Sequence, residues 1–329
     1  MVRSLHNLGY LNVTQNKTAE ALPYFQRSTE LATTLGLKSS IAVDLRSIAL
    51  MELNLGHSAK AKWLIVKALD NYRETAAATS FGTAECHLML GNIAMAQGKY
   101  SDSESEISDA LKTEQNLPPD QVSTRDLINC QQRLEHLYTF YKLDPTKARV
   151  LLNQIIAQEE QLETKNSNDW NALGEALTDL SELNDATRTN QPSLPLSARA
   201  IAIAQRIGSS SDKLYAHALV IKAKAEWSQH SSSAEKAFLD ALNANIACYG
   251  NNSPQVAQVF ESLGQMYIQQ KNFPQAENVL KQSVEILAKE DQVNSAALCK
   301  NALELLRQTY EAQKKYPEED EIKKQLGLK

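Results

Sequence analysis

Six histidines and four cysteines are the residues in this 329-residue chain best suited to act as base, nucleophile or metal ligand, so their spacing decides whether catalysis is written here. His6, His57, His87, His136, His217 and His230 are scattered along the chain, as are Cys86, Cys130, Cys248 and Cys299. No Cys-x-x-Cys pair occurs, and no histidine stands at metal-ligand distance from a cysteine. The strings His-Glu-x-x-His, Gly-x-Ser-x-Gly and Gly-x-Gly-x-x-Gly are absent, which removes the usual zinc-hydrolase, nucleophile-elbow and dinucleotide signatures. Cys86 and His87 are neighbours, and successive helical residues point to different sides, so they do not form a nucleophile and its base. The expectation is a non-catalytic protein without cofactor or metal, its thiols reduced and structural.

Composition points the same way. With 43% apolar and 22% charged residues the chain is folded, while 11 glycines, 9 prolines and 6% aromatics leave a sequence filled by good helix formers. A net charge of −5 without a basic block argues against nucleic acid as a partner. No apolar run is long enough to cross a bilayer, and the start MVRSLHNLGYL has no secretory leader, so no membrane partner is expected and the chain reads as cytoplasmic. Without a leader, the glycosylation patterns at Asn12 and Asn16 carry little weight.

The elements themselves come from an internal repeat. Leu263, Gly264, Tyr267, Ala276, Leu280 and Ser283 form a grid of large and small residues. It recurs as Leu8, Gly9, Asn12, Ala21, Phe25 and Ser28, as Ile48, Ala49, Glu52, Ala61, Ile65 and Ala68, and as Leu90, Gly91, Ala94, Ser103, Ile107 and Ala110. Weaker copies anchor on His136, Gly174, Lys222 and Arg307, so the anchors advance by 38 to 48 residues with a period close to 42. Spacings of three and four put each half-copy's apolar residues on one helix face, and two such faces close as an antiparallel pair. Gly56 and Gly98 fall in the links, where a left-handed residue ends the first helix. Pairs that cannot bury both faces alone stack on one another. The predicted fold is therefore all-α: a right-handed superhelical solenoid of antiparallel helix pairs with seven to eight repeats, one domain over 1–329. Its repeats fall near 2–38, 42–78, 84–117, 126–164, 167–208, 214–249, 255–291 and 297–329.

This grid resembles the tetratricopeptide repeat, and Trp170, Leu173 and Gly174 reproduce that family's Trp-x-x-Leu-Gly opening. The period of about 42 rather than 34, with the link YGNNSPQVAQ, resembles the kinesin light chain type of repeat. The resemblance implies a scaffold that holds a protein or peptide on the concave face lined by the first helices of each pair. Positions facing that surface are Arg3, His6, Arg46 and Arg133 in the first four copies, with Glu85 and Asn92 among them. In the last four they are Glu175, Asp179, Glu226, Glu261, Glu304 and Glu311. Either the groove is basic at one end and acidic at the other, which would orient an extended peptide, or these are the ordinary charges of solvated helix faces. Arg3, Asn7 and Arg46 are too few for a clamp on a terminal carboxylate.

Tyr138, Phe140 and Tyr141 are either a hot spot for a partner or in part core. About seven extra residues around Asn190 to Pro192 are either a binding loop or a tolerated insertion. His136 and Lys222 stand where other copies have a small residue, which predicts joints that either pack more loosely or bend the superhelix. The first repeat begins at Val2 without a capping helix, whereas YPEEDEIKKQLGLK suits a polar cap. Two alternatives to the scaffold follow from that uncapped start: a sensory or regulatory arm of a longer protein with further domains N-terminal to this segment, or a homo-oligomer assembled through the first repeat.

Overall fold

The computed structural model describes residues 1–15, 17–75, 80–118, 120–187, 193–208, 213–289 and 293–327. Among the described residues every regular element is a helix, and the chain divides into two compact units, Met1–Gln158 and Glu159–Lys329. The extra residues around Asn190 to Pro192 lie outside the described ones.

The first unit contains α1 (Val2–Thr14), α2 (Thr18–Thr34), α3 (Lys38–Asn54), α4 (Ser58–Arg73), α5 (Phe81–Ala96), α6 (Tyr100–Gln115) and α7 (Thr124–Phe140), and most of α8 (Pro145–Gln161). Each helix from α1 to α6 packs on the next in sequence, and α1, α3 and α5 also touch in order, so the first helices form one layer. The second unit contains α9 (Ser167–Ala186), α10 (Ser193–Ile207), α11 (Lys213–Ser228), α12 (Ala234–Tyr249), α13 (Pro254–Gln269), α14 (Phe273–Leu287), α15 (Val293–Ala312) and α16 (Tyr316–Leu326). There α9, α11, α13 and α15 contact one another in the same way. Each unit is an all-α solenoid of consecutive helix pairs.

The grid has a steric cause. A Cβ on Gly9 would lie 2.9 Å from the Phe25 ring, one on Gly91 2.5 Å from Ile107 Cγ1, and one on Gly264 2.6 Å from Leu280. In each case the small residue of the first helix receives the large residue placed sixteen positions later on the second. The large partners are themselves buried: Phe25, Ile107 and Leu280 are at most 1% exposed. The final small position has a polar reason. Ser28 Oγ donates to the Val2 carbonyl at 3.1 Å and Ser283 Oγ to that of Ala257 at 2.9 Å, bonding the second helix to the first turn of its partner. Between the helices, Gly56 and Gly98 take φ of 80° and 71°, and His57 N–H and Lys99 N–H reach back to the carbonyls of Glu52 and Ala94. Lys271 adopts the same left-handed conformation without glycine, at φ 58°.

At two weak joints the structure differs from the sequence reading. His136 is exposed, whereas Glu135 is buried at the register set by Tyr138. The offset arises because four residues link α7 to α8 where three link α3 to α4, α5 to α6 and α13 to α14. Lys222 is not the core position either: Ala223, wholly buried, fills the small-residue place, so this joint has the small residue it was expected to lack. In the last pair an ion pair replaces the glycine-to-leucine contact. Arg307 Nη1 lies 3.4 Å from Glu319, a residue 4% exposed and twelve positions on, and Lys323 caps the same carboxylate at 2.9 Å. Among the described residues no helix is long and apolar enough to cross a membrane.

Candidate functional site

The layer of first helices in unit 1 encloses a cavity of about 460 Å³. Four first helices form most of its wall, because each pair repeats the same orientation and so presents the same face, and α2 and α6 add Thr18, Phe25 and Glu114. From α1 come His6 and Tyr10, from α3 Arg46, Leu50 and Met51, from α5 Phe81, Glu85, Leu88, Met89 and Asn92, and from α7 Asp126, Asn129 and Arg133. Leu50 and Phe81 are 48% and 45% exposed, so the floor of the cavity offers apolar surface to water.

Charges within it are partly spent on each other. Arg46 forms an ion pair with Glu85, and its guanidinium stands 5.9 Å from the centre of the Phe81 ring. His6 Nδ1 lies 2.7 Å from Asp44 Oδ1, and the ring meets Phe25 edge-on. Asn92 and Asn129 make no side-chain hydrogen bond among the described residues, and Arg133, exposed on α7, no ion pair, so the donors of these three are uncommitted there.

One acid stands apart. Glu114, in the last turn of α6, is 2% exposed, lines the cavity, and leaves its Oε2 without a hydrogen-bond partner. Burial, and secondarily the charge of Asp126, pushes its carboxyl up to about 7. The carbonyl end of its own helix disfavours the anion further.

The residues singled out in the sequence fall into distinct settings. His6, Arg46, Asn92 and Arg133 come together in this cavity, with Glu85. Arg3 lines a smaller recess of about 240 Å³ with Ser39, Ser40 and Asp44. The acids of the second unit are mostly engaged within their own helices. Glu226 accepts from Ser233 Oγ at 2.5 Å and lies 3.1 Å from Lys222, while Glu304 and Glu311 flank Arg307 at 2.8 and 3.1 Å. Burial raises Glu261, whereas Glu175 is exposed and Asp179 half-buried. Tyr138 is core, its hydroxyl donating to Glu104 at 2.6 Å, while Phe140 and Tyr141 are 64% and 42% exposed.

Leu50, Leu88, Met89, Asp126, Asn129 and Glu114 were not foreseen. Asp126, Asn129 and Arg133 do share a helical face by spacing, a signal present in the sequence. Glu114 had none, since it sits on a second helix. The thiols of Cys86 and Cys130 are pushed up to about 12 by burial, far from a reactive thiolate, and His87 binds Glu106 at 2.8 Å. Among the described residues no cluster of histidine, cysteine or acid is arranged to hold a metal ion.

Residues 2–34 and 232–289 match family models described as tetratricopeptide repeat. The chain is similar in structure to a signal transduction ATPase with numerous domains carrying a tetratricopeptide repeat sensor, from Pyrococcus horikoshii. That match has a TM-score of 0.63 at 15% identity and covers 99% of this chain and 50% of the other, so the chain spans half that protein's length. It is also similar to BtubC (BKLC) from P. vanneervenii, with a TM-score of 0.58 at 17% identity over 69% of this chain and 89% of that one. The apo form of RapI matches with a TM-score of 0.55 at 12% identity, over 84% of this chain and 99% of its own. No curated protein matches.

Proposed function

Because this chain is a tetratricopeptide-repeat protein, a fold that generally mediates protein–protein interaction, we propose that it binds an extended segment of a partner in the groove of its first unit. The observation that carries this reading is the cavity of about 460 Å³ walled by four successive first helices, with exposed apolar side chains on its floor and Asn92, Asn129 and Arg133 on its rim. Apolar floor supplies affinity, and amide and guanidinium donors fix the peptide backbone and its register. No step of chemistry is assigned to it, and the protein acts as a scaffold. Arg46, satisfied by Glu85 and Phe81, shapes the wall more than it recruits an anion.

The test is a display screen of proteome-derived peptides at low and high salt, repeated with Leu50→Glu and with Arg133→Ala. Capture abolished by Leu50→Glu, and weakened and less salt-sensitive in Arg133→Ala, supports the groove. Capture indifferent to both places the binding surface elsewhere.

A second reading, a sensory arm of a larger protein, is favoured by the Pyrococcus horikoshii structure, of which this chain covers half. An open reading frame continuing into an effector domain would support it; a frame coextensive with these 329 residues would count against it.

A further inference from the structure

We propose that the α5–α7 end of this groove takes a basic side chain, lysine or arginine, of the bound peptide, with Glu114 and Asp126 accepting its hydrogen bonds. The inference deepens the groove reading and rests on it.

Three observations converge. Glu114 lines the cavity while being 2% exposed, and its Oε2 has no partner, an arrangement that leaves a strong acceptor unsatisfied in a place little water reaches. Asp126, in the first turn of α7, lines the same cavity, and its carboxylate forms no ion pair among the described residues; Ser123 Oγ accepts only its backbone N–H. The cations nearby do not fill the gap. Arg46 is held by Glu85 and lies on α3, and Arg133 is two helical turns from Asp126 on α7.

Two carboxyls facing one recess repel when both are ionised. A guanidinium or ammonium between them removes that repulsion and supplies the missing donors. A neutral donor would satisfy Oε2 but leave Asp126 unpaired, so a cation fits the pair better. Cys130 on α7, which also interacts with Glu114, is a buried neutral thiol and does not compete for the cation. With Glu114 pushed up to about 7, entry of the cation favours its ionised form, and the proton is released to solvent from those molecules that carry it.

The test uses the full chain and small probes, so that it does not depend on knowing the partner. N-acetyl-argininamide, N-acetyl-lysinamide, N-acetyl-norleucinamide and glycinamide are titrated against isotope-labelled protein by NMR. Saturable shifts of α6 and α7 amides with the two basic probes, absent with norleucine, are expected. Glu114→Gln and Asp126→Asn, each checked for an unchanged fold by circular dichroism, are expected to weaken those probes by about tenfold or more, the loss of one charge-assisted hydrogen bond. Equal response to norleucinamide, no response, or unchanged affinity in both variants overturns the proposal. Response to glycinamide alone overturns it too, since the occupant would then be a chain terminus. Peptides from the display screen, remade with norleucine at each basic position, separate this inference from the groove itself. If Leu50→Glu abolishes their capture but no basic position matters, the cation subsite is wrong and the groove stands.

Discussion

Replacing Glu114 by glutamine changes the pH dependence of local stability in a direction fixed by the structure. The carboxyl has an ordinary value of 4.5 and is pushed up to about 7 in the folded chain, first by burial and then by Asp126. Between those values the folded state holds more protons than the unfolded one, so stability is greatest near pH 4.5 and falls as pH rises toward 7. Above 7 the penalty is complete. A shift of that size corresponds to roughly 3 kcal/mol, a figure of order-of-magnitude precision. Glutamine keeps the shape and cannot ionise. Its amide adds a constant cost of about 1–3 kcal/mol if the donors stay unsatisfied, and that cost does not vary with pH. The quantity to read is therefore the change with pH of the difference between the two proteins. A repeat array need not unfold in one step, so native-state hydrogen exchange of α6 and α7 amides is the suitable assay, run from pH 5 to 8.5. Relative to the parent, Glu114→Gln should gain about 2–3 kcal/mol in those helices across the range. A difference independent of pH would refute the raised titration of Glu114 and the sign argument built on it.

Four further outcomes are expected. Phe238→Ala empties one of the largest fully buried side chains and should cost about 3–5 kcal/mol, seen as a lower midpoint for unit 2 in a thermal melt. Gly264→Ala gains about 1 kcal/mol of helix propensity but sets a Cβ 2.6 Å from Leu280, so it should destabilise alone, by about 1–2 kcal/mol net. Combined with Leu280→Ala in a double-mutant cycle, it should cost less than the sum of the two. Lys271→Gly relieves a left-handed residue and should raise stability by about 0.5–1 kcal/mol in urea titrations. Glu104 is held at about 2 by Lys142 first and then the Tyr138 hydroxyl, with Lys147 adding to both. Its contribution is present above pH 4.5 and is lost as pH falls toward 2, so Glu104→Gln should flatten the acid limb of the α6–α7 exchange profile.

The repeat, the helix pairing and most of the core follow from the sequence alone, because they depend on spacing. Phe25, Ile107 and Leu280 stand sixteen residues after a small residue, and one rigid helix–turn–helix geometry turns that interval into contact. Where the link changes length, as after Phe140, interval and contact separate, and spacing alone mistook His136 for the core position held by Glu135. The groove lay partly within reach: His6, Arg46, Asn92 and Arg133 meet there since first helices repeat one face. What each charge does there is a different kind of fact. Arg46 is quenched by Glu85 on another helix, whereas Glu304 and Glu311 with Arg307, and Glu226 with Lys222, pair within one helix at spacings of three and four that the sequence already carries. Glu114 reaches the cavity from a second helix and remains unpaired. Periodicity reports which face a residue occupies. Electrostatic pairing depends on distances of a few ångströms between different helices, and only the tertiary packing sets those.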